Sequence, residues 1–191
     1  KNSFPNSKII LTFHNDPLSL RKSKNIKDRE NLIKICSKII FISRWIQQRF
    51  FTGLINTSYS KTNIVYHAVN IPKLKKINKK KNILFVGKLN ESKGYNIFVK
   101  AAKKFMAINK SWNFIAVGNE PRKKIFPDKL IINEIGYKKN KYVLKLYQNS
   151  EISVGNSVWN EPLGRIAIES SSRKCLPIIS NVAGLKESKS I

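Results

Sequence analysis

The sequence has 191 residues, of which 41% are hydrophobic, so it carries enough apolar side chain to build one or two domain cores and is not globally disordered. No run approaches the roughly 20 apolar residues of a membrane span, and the first residues (KNSFPNSKII) lack the long apolar block of a secretory signal. Cys36 and Cys175 lie far apart, which gives little support to a disulfide framework or a zinc site. These features predict an unexported chain in a reducing, cytoplasmic compartment.

The formal net charge is +26, which in general favours nucleic acid or an anionic membrane as partner. Lysine far outnumbers arginine, and isoleucine and asparagine are also abundant, which is the pattern that an AT-rich coding bias produces without selection for binding. RNA- and DNA-binding motifs are absent, so we expect no nucleic-acid partner. The densest cluster, residues 73–81 (KLKKINKKK), carries six lysines. We interpret it as a solvated linker, with attraction to an anionic membrane surface as the alternative.

Short apolar runs alternate with helical patterns along the first third of the chain. Strands are predicted at residues 8–13 (KIILTF), 39–43 (IIFIS) and 63–66 (NIVY), and helices at about 26–36 and 44–51. Such alternation is typical of βα units around a parallel sheet.

The same pattern restarts after the lysine cluster with a strand at residues 83–86, which ends in Gly87. Four apolar residues of the next helix share one face at the spacing i, i+3, i+4 and i+7, namely Phe98, Ala101, Ala102 and Phe105. The remaining elements are strands at 112–117, 130–135, 151–154 and 176–180 and helices at about 141–148 and 163–172.

This order of elements predicts an α/β fold of two Rossmann-like, doubly wound domains. We assign residues 1–71 to the first domain, 72–81 to a basic linker and 82–191 to the second domain. No internal repeat with a period of about 20–50 residues is evident, which argues against a solenoid.

The most informative stretch is EPLGRIAIE, in which seven residues separate Glu161 from Glu169 across a predicted helix start. Pro162 suits the first helical turn because its missing N–H would be unpaired there. Two turns later Glu169 projects near the side of Glu161, and the free backbone N–H groups around Leu163 and Gly164 can receive an anion. The stretch therefore offers two carboxylates for sugar or ribose hydroxyls and a positive pole for phosphate. An ordinary capped helix with surface acids is the alternative.

Two longer stretches carry a family resemblance. ILFVGKLNESKG resembles the strand, Gly-Arg-Leu and Lys-Gly pattern of glycosyltransferase family 4, and SVWNEPLGRIAIESSSRKCLPIISNVAGLKE resembles that family's Glu, seven residues, Glu motif with the following Gly-x-Pro strand and Gly-Gly turn. The motifs occur in the family's order over residues 83–187. The resemblance implies the GT-B fold, with a partial acceptor domain in the first third of the chain and a nucleotide-sugar donor domain, truncated at its end, in the rest.

The resemblance also implies roles for individual residues. Glu169 is expected to accept hydrogen bonds from the nucleotide ribose, and Glu161, as a catalytic residue, to contact the hydroxyls of the transferred sugar. Gly164 is expected to let its backbone approach the donor diphosphate. Gly87 and Leu163 complete the expected substrate-binding residues.

Lysines, rather than a metal ion, are expected to meet the charge of the diphosphate. The resemblance gives this role to Lys88 and Lys93; the family usually has arginine at the position of Lys88, so charge is kept here but bidentate phosphate contact is lost. The aspartates of the chain, Asp16, Asp28 and Asp128, form no Asp-x-Asp pair to hold a divalent cation beside a diphosphate. We therefore expect no metal and no cofactor.

Two histidines stand at notable places. TFHND puts His14 just after a strand, where ligands tend to bind in open α/β sheets. The resemblance implies for His14 the catalytic role of an acceptor-domain histidine that approaches the donor sugar; a packed or turn histidine is the alternative. His67 and Ala68 replace the Asn-Gly of the family's interdomain link, so His67 is expected to be structural. Arg173 and Lys174 stand where the family commonly has a small residue and glycine.

The resulting prediction is a cytoplasmic, peripherally membrane-associated hexosyltransferase that takes a sugar from a nucleoside diphosphate sugar and transfers it, with retention of configuration, to a hydroxyl of a glycan or lipid-linked acceptor. We expect the chain to be a piece of such an enzyme that alone binds donor weakly and turns over nothing. Two alternatives stay open. One is another GT-B enzyme, such as a sugar-nucleotide epimerase or a phosphorylase. The other is a catalytically silent nucleotide-binding or anionic-membrane-surface module.

Overall fold

The computed structural model describes residues 7–55, 59–73, 78–120 and 131–190. The chain divides into two compact units, Lys1–His67 (unit 1) and Ala68–Ile191 (unit 2). Each is built on a parallel sheet, so the predicted α/β class is confirmed. Three predictions fall outside the described residues, wholly or in part: residues 74–77 of the lysine cluster, residue 130 of a predicted strand, and Asp128.

Unit 1 contains three parallel strands in the spatial order β1-β2-β3. The strands are β1 Ile10–Phe13, β2 Lys38–Phe41 and β3 Thr62–Ile64, and the helices are α1 Ile26–Ile35 and α2 Arg44–Phe51. Each predicted element of this region is present, with ends shifted by at most two residues.

The core of unit 1 is aromatic. The rings of Phe13, Phe41 and Phe50 lie with centroids 5.2–5.7 Å apart, and all three side chains are buried. Helix α2 begins in register because the buried Ser43 hydroxyl accepts a hydrogen bond from the Ile46 amide at 3.1 Å, a standard N-cap. This hydrogen bond fixes the residue at which α2 begins after β2.

Unit 2 contains five parallel strands in the spatial order β6-β5-β4-β7-β8. The strands are β4 Lys80–Val86, β5 Asn113–Val117, β6 Ile132–Glu134, β7 Ser150–Gly155 and β8 Leu176–Ile179, and the helices are α3 Tyr95–Ile108, α4 Asn140–Asn149 and α5 Arg165–Ser171. The chain first adds strands on one side of β4 and then returns to add β7 and β8 on the other side. This reversal opens a crevice at the carboxyl ends of β4 and β7, where open α/β sheets bind ligands.

Both faces of the second sheet are covered, as doubly wound folds require. Phe85 packs against Phe98 of α3, with ring centroids 5.3 Å apart. On the opposite face Leu84 belongs to a second cluster with Tyr147 of α4. Because side chains alternate along a strand, β4 supplies the centre of both cores.

The predicted apolar stripe of α3 is partly wrong. Phe98 and Ala102 are buried, but Ala101 is exposed, and the buried face instead includes Tyr95 and Val99. These positions still follow the spacing i, i+3, i+4 and i+7, shifted by three residues.

The predicted start of α5 is also wrong, since the helix begins at Arg165 and Pro162 precedes it. The Gly184 amide donates to the Glu161 carbonyl at 2.9 Å, and a Cβ on Gly164 would collide with Leu185. Packing and hydrogen bonding therefore hold the residues before α5 out of the helix. Helix propensity, which depends on local sequence, does not predict such contacts.

One lysine of the basic cluster is structural. The Lys79 ammonium donates to the carbonyl oxygens of Tyr147, Gln148, Ser150 and Arg173 at 2.8–3.2 Å, and burial lowers its pKa. Strand β4 begins at the next residue, inside the segment predicted to be linker.

Candidate functional site

The loops that follow β4 and β7 are bound to each other. The Ser92 carbonyl accepts hydrogen bonds from the amides of Val158 and Trp159 at 3.1 and 3.0 Å and from the Ser157 hydroxyl at 3.0 Å. Three donors on one carbonyl fix the two loops side by side at the topological reversal.

Gly94 makes this close approach sterically feasible. Its φ is +74°, in the left-handed region, and a Cβ at this position would collide with the Asn156 backbone carbonyl. The Asn156 side-chain amide in turn donates to the Gly94 carbonyl at 2.8 Å. Lys93, one residue earlier, is thereby placed beside Glu161, and their side chains form an ion pair with Nζ and Oε1 2.8 Å apart.

A second ion pair lies on α5. Arg165 Nη2 is 2.8 Å from Glu169 Oε1, an i, i+4 pair, and the Asn140 side-chain amide donates to the same oxygen at 3.4 Å. The Glu169 side chain is 11% exposed and that of Arg165 56% exposed. The carboxylate is thus held in place, whereas the guanidinium is free to reach solvent.

Both ion pairs line one cavity of about 370 Å³ at the carboxyl ends of β4 and β7. Five of the residues predicted from the sequence line it together: Gly87, Lys93, Glu161, Leu163 and Glu169. Apolar residues such as Phe85 and Val154 form much of the remaining wall. A mostly apolar cleft with a few converging charged groups is typical of sites for polar small molecules.

Lys88 does not line this cavity. It lines a neighbouring cavity of about 310 Å³ that shares Val86 and Gly87 with the first and also includes Tyr137 and Lys138. Its side chain is exposed, and it makes no ion pair with any residue that the structure describes.

Gly164 is required for packing. The volume that its Cβ would take is filled by the side chain of Leu185, which is buried. The expected approach of a diphosphate to the Gly164 backbone stays a prediction, since the packing alone accounts for a glycine here.

Tyr147 of α4 reaches the floor of the same cavity and was not predicted. Its side chain is fully buried, and its hydroxyl has no hydrogen-bond partner among the described residues. Burial raises the pKa of Tyr147 well above its usual range, and the nearby Glu169 carboxylate raises it further. The cavity therefore contains a neutral hydroxyl without a hydrogen-bond partner among the described residues, which is uncommon for a buried polar group.

Arg165 was also missed, although the sequence carried a signal for it. An arginine four residues before Glu169 on a predicted helix is a standard i, i+4 ion pair. Tyr147 carried no functional signal, because its spacing from Val143 on α4 reads as an ordinary core stripe.

Within unit 1, the structure brings the two histidines together. His14 is exposed and follows β1, and its Nδ1 lies 3.4 Å from His67 Nε2. His67 was expected to be structural, and its pairing with His14 was not predicted. The catalytic role expected for His14 stays a prediction.

No group of three or more His, Cys, Asp or Glu side chains with metal-binding geometry occurs in residues 7–55, 59–73, 78–120 and 131–190. The expectation that no metal takes part stays a prediction. Among the helices of the same residues, none has the length and apolarity that a bilayer crossing demands.

Known proteins resemble the chain in sequence and in fold. Residues 68–188 match the family described as glycosyl transferases group 1. Spore coat protein SA of Bacillus subtilis (strain 168) is 26% identical over an alignment 219 residues long that covers 96% of this chain and 56% of that protein. The chain spans about half the length of the curated relatives it matches.

Two solved structures share the fold at low sequence identity. Anabaena Alr3699/HepE in complex with UDP superposes with a TM-score of 0.77 at 14% identity, covering 94% of this chain and 55% of that one. A glycosyltransferase from Rickettsia africae ESF-5 gives a TM-score of 0.77 at 19% identity, covering 97% and 55%. These likenesses confirm the predicted GT-B type of α/β fold.

Proposed function

This chain belongs to the glycosyl transferases group 1 family, and from that premise we propose that unit 2 binds a nucleoside diphosphate sugar, whose sugar the protein transfers to a hydroxyl of a glycan or lipid-linked acceptor. We further propose the finer assignments: glycosyltransferase family 4, hexosyl transfer and retention of anomeric configuration. The reaction is proposed to occur in the cytoplasm, at or near the inner face of the membrane.

The observation that carries the proposal is the position and lining of the 370 Å³ cavity. It lies where the strand order reverses, and Glu161, Glu169 and Lys93 converge on it. Two carboxylates and a cation within one apolar cleft suit a ligand that has both hydroxyl groups and phosphates.

Each carboxylate receives one part of the donor in this proposal. Glu169, held in place on α5, accepts hydrogen bonds from the ribose hydroxyls. Glu161, in the connection between β7 and α5, accepts them from the transferred sugar. An ionised carboxylate is acceptor-only, so it pairs with hydroxyl donors and rejects groups that lack them.

The leaving group is a nucleoside diphosphate, whose negative charge grows as the glycosidic bond breaks. Fixed positive charges aimed at that position stabilise the transition state. We assign this role to Lys93, inside the cavity, and to Lys88, at its edge in the neighbouring cavity. We propose that these cations act without a metal ion.

Related structures suggest the order in which nucleotides are tested. HepE has been solved with UDP-glucose, and pneumococcal GtfA, an O-GlcNAc transferase, with UDP and GlcNAc. UDP and its sugar conjugates are therefore the first ligands to try with this chain.

The test is calorimetric titration of the chain with UDP, GDP and ADP and with their common sugar conjugates. We expect saturable binding of one nucleotide and a loss of about 10-fold or more in Glu169→Ala, because that variant removes charge-assisted hydrogen bonds to the ribose. Glu30→Ala is the matched control, since Glu30 is an exposed glutamate of α1 in unit 1. A well-folded sample that binds none of these ligands would contradict the proposal.

The high positive charge favours one other function, a silent module that binds an anionic membrane surface. Vesicles containing anionic lipid separate the two: surface attraction collapses as salt rises, whereas recognition in the cavity falls less. An epimerase or phosphorylase on the same fold would be distinguished by analysis of the reaction products.

A further inference from the structure

The charges that line the 370 Å³ cavity cancel one another. Its described lining contains two cations, Lys93 and Arg165, and two anions, Glu161 and Glu169. Each cation lies 2.8 Å from one of the anions. Each of these four charges is therefore already engaged with another side chain.

A nucleoside diphosphate finds partners for its phosphates and hydroxyls among these four residues only if the arrangement changes. The ligand brings negative phosphates that need positive partners and hydroxyls that need acceptors. The cations and the carboxylates of the cavity become available together only when the two ion pairs open, because each pair holds one of each kind.

We infer, on the basis of the proposed function, that Arg165 is a donor-binding residue and that donor binding exchanges both ion pairs. Arg165 leaves Glu169 for the diphosphate, and Lys93 leaves Glu161 for it as well. Glu169 and Glu161 then accept hydrogen bonds from donor hydroxyls. Each of the four charged side chains has a hydrogen-bond partner at the end of the exchange.

The exposure of the partners supports this direction of exchange. Arg165 is 56% exposed and Lys93 28% exposed, whereas the carboxylates of Glu169 and Glu161 are 11% and 16% exposed. The cations are thus the groups with room to move. A guanidinium is also suited to the task, because its planar fork can bind two phosphate oxygens at once.

Glu169 has a second source of hydrogen bonds when Arg165 leaves. The Asn140 amide already donates to its Oε1, and the Tyr147 hydroxyl lacks a described partner in the same cavity. The buried carboxylate is therefore not stranded by the movement of the arginine.

Trp159 is placed to report the movement of Lys93. In the free protein the Lys93 ammonium lies 5.1 Å from the centroid of the Trp159 ring. The indole of Trp159 is half exposed, and its backbone amide is bound to the Ser92 carbonyl, so the ring itself is expected to stay in place. When Lys93 turns to a phosphate, the positive charge next to the ring is lost, and the tryptophan emission should change.

The experiment compares the affinities of UDP and UMP, or of the diphosphate and monophosphate of whichever base the chain selects, in the wild-type chain and in Arg165→Ala. We expect the variant to lower the ratio of diphosphate to monophosphate affinity by about 10-fold or more. Arg165→Lys, which keeps the charge beside Glu169 but loses the fork, is expected to give an intermediate ratio and guards against a folding defect. Arg21→Ala removes the same charge from an exposed position of unit 1 and is expected to leave the ratio unchanged.

An arginine that merely positions Glu169 would lower both affinities equally, and an unchanged ratio in both folded Arg165 variants would overturn the inference. Tryptophan emission gives the second measurement: nucleoside diphosphate is expected to change it in the wild type and not in Trp159→Phe. An emission that stays constant at saturation would refute the exchange at Lys93. If no nucleotide binds to the wild-type chain, the proposed function itself fails, which is a different result from either of these.

Discussion

Unit 1 and unit 2 are both parallel α/β structures, but their strands are added differently. In the described part of unit 1 each new strand joins the same side of the sheet, in the order β1-β2-β3. In unit 2 the chain returns to the first strand and continues on its other side. Only the second pattern separates the loops of two neighbouring strands, and the lined cavity lies there. The order of strands, rather than their composition, makes the site.

The two units also differ in how their loops are held. In unit 2 the loops after β4 and β7 are joined through Ser92 and Gly94, and ion pairs extend the connection into the cavity. In unit 1 the candidate residue His14 is exposed and meets one partner, His67, at 3.4 Å. A preorganised site is therefore a property of unit 2.

The largest expected effect comes from Gly94→Ala, which tests this loop connection. The substitution places a Cβ against the Asn156 backbone and forces a left-handed φ on alanine, so we expect a loss of about 2–4 kcal/mol in the free energy of unfolding. Nucleotide binding should weaken in parallel, because Lys93 loses its position beside Glu161. Urea unfolding and calorimetry measure the two effects.

Gly53→Ala is the matched control in unit 1. Gly53 has a similar φ of +79°, but its Cβ would meet only the flexible side chain of Ile26 at 3.2 Å. We expect a loss of about 1 kcal/mol and no change in nucleotide affinity. Equal losses in the two variants would show that the loop connection adds nothing beyond the cost of the backbone conformation.

A smaller change in the free energy of unfolding is expected at alkaline pH. Burial raises the pKa of the Cys175 thiol in unit 2 to about 11, although the charge of Lys79 acts against the shift. Because the folded pKa lies above the unfolded value, the thiol's contribution to stability is complete below about pH 9 and is lost as the pH rises towards 11. The difference in unfolding free energy between wild type and Cys175→Ala should therefore shrink over this range.

Cys36→Ala extends the alkaline measurement to unit 1. Burial also raises the pKa of the Cys36 thiol. The difference in unfolding free energy between wild type and Cys36→Ala should therefore also shrink as the pH rises. A difference that grows with pH for either cysteine would contradict the assignment of a buried, neutral thiol.

The smallest expected effect is a gain in the free energy of unfolding. Lys174 follows α5 with a φ of +57°, a conformation that costs little only for glycine. We expect Lys174→Gly to stabilise unit 2 by about 0.5–1 kcal/mol, whereas Lys174→Ala, which keeps the Cβ, should give no gain. Thermal unfolding of the three proteins decides the matter, and a destabilised glycine variant would count against strain at this position.

Much of the fold could be predicted from the sequence because its signals are local. The runs NIVY and ILFVG are short apolar strands between helical patterns, and the structure has strands at both places. Four of the predicted site residues line one cavity for the same reason: Gly87 sits directly after a predicted strand, and Glu161, Leu163 and Glu169 lie across a predicted helix start. Parallel strands bring such positions to one edge.

What the sequence did not reveal depends on contacts between distant residues. The extended stretch before α5 is fixed by Leu185 and Gly184, more than twenty residues later. Lys79 looked like one of many solvated lysines, and only the structure brings four carbonyls around it. The hydroxyl of Tyr147, for which the described part of the chain supplies no hydrogen-bond partner, likewise has no local signal in the sequence.

The ring of carbonyls around Lys79 has a consequence for protein synthesis. Its last acceptor, the carbonyl of Arg173, is made 94 residues later. At a translation rate of about 5–20 residues per second, the ammonium waits roughly 5–20 s for it. Strand β4 also waits for β7, although it is the first strand of its sheet to be made. Until β7 is made, one edge of β4 has no neighbouring strand, whereas the described strands of unit 1 pair in the order in which they leave the ribosome.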